Sequence, residues 1–143
     1  AGHNQLVKLH GDGVGVDVHD WGGGALIVED TRRLPFENES FDTVTFVACL
    51  NHIPHRREAL LAARSLLRPG GRVIVTMIGP FLGGIGHRIW WYSEEKHREV
   101  ADEELMGMTP GCVMQLLGDT GYVDVIYRKF VYCLNHLFIA TKP

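Results

Sequence analysis

Cysteine is scarce in this chain. Cys49, Cys112 and Cys133 are odd in number and far apart. That excludes a disulfide framework and suits reduced thiols in a cytoplasmic protein. An excess of basic residues is also absent. With a formal net charge of −3, the chain does not suit a nonspecific nucleic-acid coat, and no nucleic-acid partner is expected. No apolar run is long enough to span a bilayer, so no membrane partner is expected either. Internal repeats and low-complexity tracts are missing. What is present is the composition of a globular protein. The 143 residues are 45% hydrophobic and 22% charged, enough for one domain with one core. Charge is uneven, with Arg56, Arg57, Arg64, Arg68 and Arg72 in the middle and Glu94, Glu95, Glu99, Asp102, Glu103 and Glu104 later. These runs read as solvated helix faces.

Residues 1–13 are polar and punctuated by glycine, with a short apolar patch at Leu6, Val7 and Leu9. Val14–Val18 reads as a buried strand ending near Asp17, Gly22-Gly23-Gly24 as a breaker, and Ala25–Glu29 as a second strand before Asp30. Thr43–Cys49 is nearly all apolar, as a strand covered on both faces would be. Residues 56–67 are rich in helix formers, with Leu60, Ala63 and Leu67 on one stripe and Ala59 and Leu66 widening it. Pro69-Gly70-Gly71 should stop that helix before a strand at Arg72–Ile78. Ser93 can cap one later helix and Thr109-Pro110 can open another that Gly121 ends. Val123–Phe130 and Leu137–Thr141 read as two strands of a closing antiparallel hairpin, with Asn135 between them. Strands alternating with helices imply a layered α/β domain with a mostly parallel sheet. Ligands bind such sheets at the carboxyl ends of the strands. That rule selects Asp17, Asp30 and the segment from Cys49 to His52.

The run EDTRRLPFENESFDTVTFVACLNHIPHRREALLAARSLLRPGGRVIVTMI resembles the central block of class I S-adenosylmethionine-dependent methyltransferases of the type 11 kind. An acidic residue is followed by Leu-Pro-Phe and by a Ser-Phe-Asp lead into a strand. A His-containing loop, a helix and Arg-Pro-Gly-Gly then precede the next strand. TGYVDVIYRKFVYCLNHLFIATKP is similar to the family's terminal antiparallel pair, and GVGVDV resembles its second strand. The resemblance implies an α/β, Rossmann-like methyltransferase sheet closed by that hairpin. It covers the chain as one methyltransferase-like domain over 1–143, in which 1–13 match poorly.

The resemblance also implies roles for particular residues. The acid ending the second strand, Asp17, would bind the ribose hydroxyls of S-adenosylmethionine. Asp30 would contact the adenine amino group, and Thr31 would offer a backbone amide. Ala48, Cys49 and Leu50 would face the cofactor's methionine part. The first strand and glycine-rich loop of the family are not matched, so the fold is expected to be N-terminally truncated or remodelled. A rival alignment makes Val14–Val18 the first strand and the triple glycine an altered loop. The stretch between Asp17 and Asp30 is too short for the usual crossover helix. In the family the first strand lies mid-sheet, and its loss would leave two edges unpaired. The sheet would then be rebuilt through Leu6–Leu9, through direct pairing of the flanking strands, or through a second copy. A homo-oligomer, such as a dimer, is expected on this ground.

Methyl transfer from a sulfonium needs positioning more than acid–base chemistry, and a base only if the acceptor must lose a proton. His52 is the candidate for that base, and a loop histidine bonded to backbone is its alternative. Cys49, His52 and His55 are spaced three apart, but no fourth ligand has a place, so no metal is expected. His87, Trp90, Trp91 and Tyr92 form an aromatic segment that either lines an acceptor pocket or packs on the core. The expected function is methyl transfer to a small-molecule acceptor. The alternative is a non-catalytic methyltransferase-like domain that acts through self-association or a partner.

Overall fold

The longer strands form where β-branched residues crowd, and the longest helix among the described residues where Ala, Leu and Arg do. The computed structural model describes residues 1–78 and 108–143. They fall into two units, Ala1–Phe36 and Glu37–Pro143.

The first unit holds a helix, α1 (Gln5–His10), and two short parallel strands, β1 (Val16–Asp17) and β2 (Leu26–Ile27). The apolar patch at Leu6–Leu9 is therefore helical and does not rebuild a sheet. Helix α1 ends at Gly11, whose φ of 81° only glycine adopts freely and whose N–H donates to the Val7 carbonyl. Strands β1 and β2 pair directly across the triple glycine, with Val16 opposite Leu26 and Asp17 opposite Ile27. No helix lies between them, so the triple glycine is not a strand–loop–helix turn. Its glycines have a packing role instead. A Cβ on Gly23 would overlap the His3 backbone, and one on Gly15 would overlap the Asn4 side chain. Val14 and Val18 are exposed and the residues of β1 half-buried, so this strand is not the buried one expected.

The second unit holds β3 (Phe41–Val47), a 3-10 turn (Leu50–His52), α2 (Arg56–Leu66), β4 (Leu67–Ile78), α3 (Pro110–Asp119), β5 (Val123–Phe130) and β6 (Asn135–Thr141). The sheet order is β3-β4-β6-β5. Strands β3 and β4 are parallel, whereas β6 is antiparallel to both its neighbours. Alternation sets the core. Val73, Val75 and Met77 of β4 share a face with Phe138 and Ala140 of β6, and all are buried. Leu60 from α2 and Val113 and Leu117 from α3 complete the cluster. Tyr122 is buried among them and its hydroxyl donates to the Leu60 carbonyl (3.1 Å). Thr109 caps α3 by accepting from the Cys112 N–H, with Pro110 in the first turn.

Two strands differ from expectation. Strand β3 is exposed at alternate residues, so its apolar character does not reflect cover on both faces. Strand β4 begins at Leu67, five residues before Arg72. Pro69-Gly70-Gly71 does more than stop α2; it carries an irregular strand start. Gly70 takes a φ of 76°, and a Cβ on Gly71 would press on the Arg68 and Asp42 carbonyls. Arg68 secures this bulge by donating to Asp42 Oδ1 (2.7 Å) and to the carbonyls of Glu39 and Ser40. Lys142 pairs with the bulge through both its backbone groups, to Gly70 and Gly71.

The hairpin turn is not centred on Asn135, which already pairs with Phe130. It is Val131–Leu134, closed by the Leu134 N–H on the Val131 carbonyl (3.0 Å). Val131, Tyr132 and Cys133 all have positive φ, between 48° and 64°. Positive φ at both central residues is the sign pattern of a type I′ turn, which favours Asn-Gly. Tyr-Cys is a poor sequence for it. Replacing Cys133 by Gly should therefore stabilise the protein by about 1 kcal/mol, measured as a rise in the urea midpoint. A loss of stability would show that the left-handed backbone is not what limits this turn.

All three cysteines are free thiols. Among the described residues no helix is long and apolar enough to cross a membrane.

Candidate cofactor site

The carboxyl ends of the parallel strands collect the residues selected from sequence, in two groups. In the first unit, Asp17 ends β1, and Asp30 lies three residues beyond its register partner Ile27. Both carboxylates thus sit at the same end of one parallel pair.

Asp17 is held from three directions. The Ala1 amino group forms an ion pair with its Oδ2. The Gly2 N–H donates to Oδ2 (2.7 Å), and the His19 N–H donates to Oδ1 (3.1 Å). Burial alone would raise its pKa, but these donors outweigh it and bring the value down to about 2. The group is therefore ionised at neutral pH. A carboxylate oxygen can accept two hydrogen bonds. Among the described residues Oδ1 takes one, which leaves a lone pair for a ribose hydroxyl.

Asp30 is more fully engaged. Its carboxylate accepts from the Arg32 backbone N–H (2.9 Å) and from Arg32 Nε on both oxygens (2.9 and 3.0 Å). Arg32 Nη2 is 2.9 Å from Oδ2. These bonds hold its pKa down at about 2. An adenine amino group at this carboxylate would have to displace the Arg32 guanidinium. Sequence reading missed both this lock and the contacts of Asp17 with residues 1 and 2. The signal for the first was Arg32 itself, two residues after an acid, where a side chain reaches back readily. Thr31 follows Asp30 and is half-buried.

In the second unit the chain leaves β3 through Ala48, which has a φ of 49°. Its N–H donates to the Thr76 carbonyl (3.0 Å) and to Thr76 Oγ1 (3.1 Å), tying the end of β3 to the end of β4. Ala48 is exposed and Cys49 half-buried. Leu50 is fully buried in the core, so its side chain anchors the turn. His52 is half-buried and closes the turn by donating its N–H to the Cys49 carbonyl (2.9 Å). Asn51 Nδ2 lies 3.1 Å from His52 Nε2. A neutral ring with its proton on Nδ1 would let Nε2 accept from this amide. Among the described residues no group of three His, Cys, Asp or Glu side chains is placed to hold a metal ion. His87, Trp90, Trp91 and Tyr92 lie outside the described residues.

The family model described as a methyltransferase domain matches residues 6–75. The ubiquinone/menaquinone biosynthesis C-methyltransferase UbiE of Pseudomonas fluorescens is 35% identical over 147 aligned residues, covering 90% of this chain and 56% of that protein. The mouse mitochondrial 2-methoxy-6-polyprenyl-1,4-benzoquinol methylase is 35% identical over 57 residues, covering 40% of this chain and 17% of that protein. The chain thus spans about half the length of the curated UbiE relatives that it matches along most of its own. Among solved structures, an S-adenosylmethionine-dependent methyltransferase from Thermotoga maritima superposes with a TM-score of 0.73 at 18% identity, covering 99% of this chain and 79% of that one. The cyclase SpnF superposes with a TM-score of 0.66 at 13% identity, covering 99% of this chain and 72% of that one. Those two likenesses speak for the fold, and the sequence matches agree with it: residues 6–75 match the methyltransferase-domain family, within a fold that S-adenosylmethionine-dependent methyltransferases share.

Proposed function

We propose that the protein transfers a methyl group from S-adenosylmethionine to a small planar acceptor, with a prenylated benzoquinol as the first acceptor class to test. The observation that carries this is the pair Asp17 and Asp30, ionised at the carboxyl ends of adjacent parallel strands. The acceptor class follows from the names of the UbiE and benzoquinol methylase relatives. The cofactor supplies an activated methyl on a sulfonium. The chain's own residues do the rest. Asp17 accepts from the ribose hydroxyls. Asp30 and Thr31 meet the adenine once Arg32 has moved. Ala48 and Cys49 border the methionine part. His87, Trp90, Trp91 and Tyr92, outside the described residues, are the proposed acceptor-binding residues.

Transfer to a ring carbon forms a carbon–methyl bond, breaks the sulfur–methyl bond and releases a proton. His52 is suited to take that proton, because in a neutral ring protonated on Nδ1 its Nε2 carries a lone pair facing Asn51 Nδ2. His52→Gln should lower kcat about a hundredfold while leaving cofactor affinity unchanged. An unchanged kcat ends the case for His52 as base. The proposal as a whole is tested by calorimetric titration with S-adenosylmethionine and S-adenosylhomocysteine. Micromolar binding is expected, and no binding at millimolar ligand overturns it.

A second reading is a methyltransferase-like module that self-associates. Among the described residues β3 pairs only with β4, and such an edge can accept a strand from another copy. The same calorimetric titration separates the readings, since this one expects no cofactor binding at millimolar ligand together with a dimer in light scattering.

A further inference from the structure

The β5–β6 turn combines three features that the methyl-transfer reading does not use. First, it is apolar and exposed. Tyr132 is 94% exposed and Val131 55%, flanked by exposed Phe130 and Leu134. Second, it is basic. Arg128 and Lys129 are exposed beside it, and no Asp or Glu occurs from Val125 to Pro143 although the whole chain is acidic. Third, its sequence works against its backbone. Val131, Tyr132 and Cys133 occupy left-handed positions where Asn or Gly would fit without strain. A bulky Tyr at the most exposed of them contributes nothing to the turn and leaves its ring in water.

We propose that this tip docks on an anionic lipid surface. The aromatic and aliphatic side chains would enter the headgroup region, while Arg128 and Lys129 pair with lipid phosphates or carboxylates. A bilayer suits the patch better than a protein does. A stable protein interface needs roughly 20–30 residues a side, whereas a few apolar side chains with adjacent cations give reversible binding to a membrane interface. That no helix among the described residues is long and apolar enough to cross a membrane does not bear on this, because the tip would lie on the surface. The inference is independent of whether the protein transfers methyl groups.

Flotation of the whole chain with vesicles provides the test. Vesicles of equal parts phosphatidylcholine and phosphatidylglycerol should carry the protein. Vesicles of phosphatidylcholine alone should bind it about twenty-five-fold less, as two cations contribute about fivefold each. The same loss should follow Arg128→Gln with Lys129→Gln. Tyr132→Asn with Cys133→Gly replaces the tip by a favoured turn sequence. This variant should fold at least as stably, yet bind anionic vesicles about tenfold less. The proposal is overturned if the wild type ignores anionic vesicles, or if the Tyr132 and Cys133 double variant binds them undiminished. It is equally overturned if the double variant changes the oligomeric state while vesicle binding is absent, which would make the tip a contact between copies.

Discussion

Asp17→Ala is expected to weaken S-adenosylhomocysteine binding about a hundredfold. A ribose hydroxyl bond to an ionised carboxylate is worth up to about 3 kcal/mol. The same change also removes the acceptor for the Gly2 and His19 N–H groups, so lost affinity alone would be ambiguous. Asp17→Asn separates the two effects. It keeps one acceptor oxygen and the side-chain shape but loses the charge, and should cost about tenfold. Calorimetry reads the affinity and urea denaturation reads the fold. Full affinity in both variants would remove Asp17 from the cofactor site. The depressed pKa adds a pH signature. Protonation is favoured in the unfolded chain, so the carboxylate's stabilising effect is complete above the ordinary range near 3.8 and is lost as pH falls toward 2. Solvent screening limits that effect to about 1 kcal/mol.

Phe138→Ala should be the most destabilising single change, costing about 3–5 kcal/mol. Phe138 is 1% exposed, lies opposite Val75 on β4 and stacks on Tyr127 with ring centroids 5.1 Å apart. Tyr127 in turn lies 2.8 Å from His136 Nδ1 through its hydroxyl, and His136 is buried on the same face. Burial, and next the charge of Lys129, hold the His136 pKa below its usual value. Truncating Phe138 therefore opens a cavity beside a buried polar pair, which water would then reach. Phe138→Leu keeps most of the volume and should cost about 1.5 kcal/mol or less. Urea unfolding followed by circular dichroism distinguishes them. A cost under about 1 kcal/mol for the alanine variant would mean that the sheet and helices do not meet around this ring.

The alternation of strands and helices was legible because its period and punctuation were strong. Helix α2, the Thr109-Pro110 start of α3 and the terminal hairpin stand where pattern and capping chemistry put them. Helix α1 was not legible. It is one and a half turns long, and Leu6 and Leu9 face solvent, so it carries no apolar stripe for a periodicity to reveal. The bulged start of β4 was hidden by Pro69-Gly70-Gly71, which reads locally as a stop and becomes a strand only through Arg68 and Lys142, residues far apart in sequence. The candidate site divides in the same way. Asp17 and Asp30 stood out by their place at strand ends. Their partners did not: Gly2 has no pattern of its own, and the one signal for Arg32 was its place two residues after an acid.

Strand β6 separates β4 from β5, and that position has a consequence for synthesis. One of the two inner strands of the sheet is supplied by Asn135–Thr141, pairing with Arg72–Ile78 across nearly half of the chain. Until those seven residues leave the ribosome, β4 carries a bare edge and Val73, Val75 and Met77 lack Phe138 and Ala140 beside them. The second unit cannot ripen gradually as it emerges; its sheet should close in one late event. A nascent chain stalled before Asn135 should therefore remain protease-sensitive throughout β3 and β4, and become resistant abruptly once Thr141 is clear of the exit tunnel.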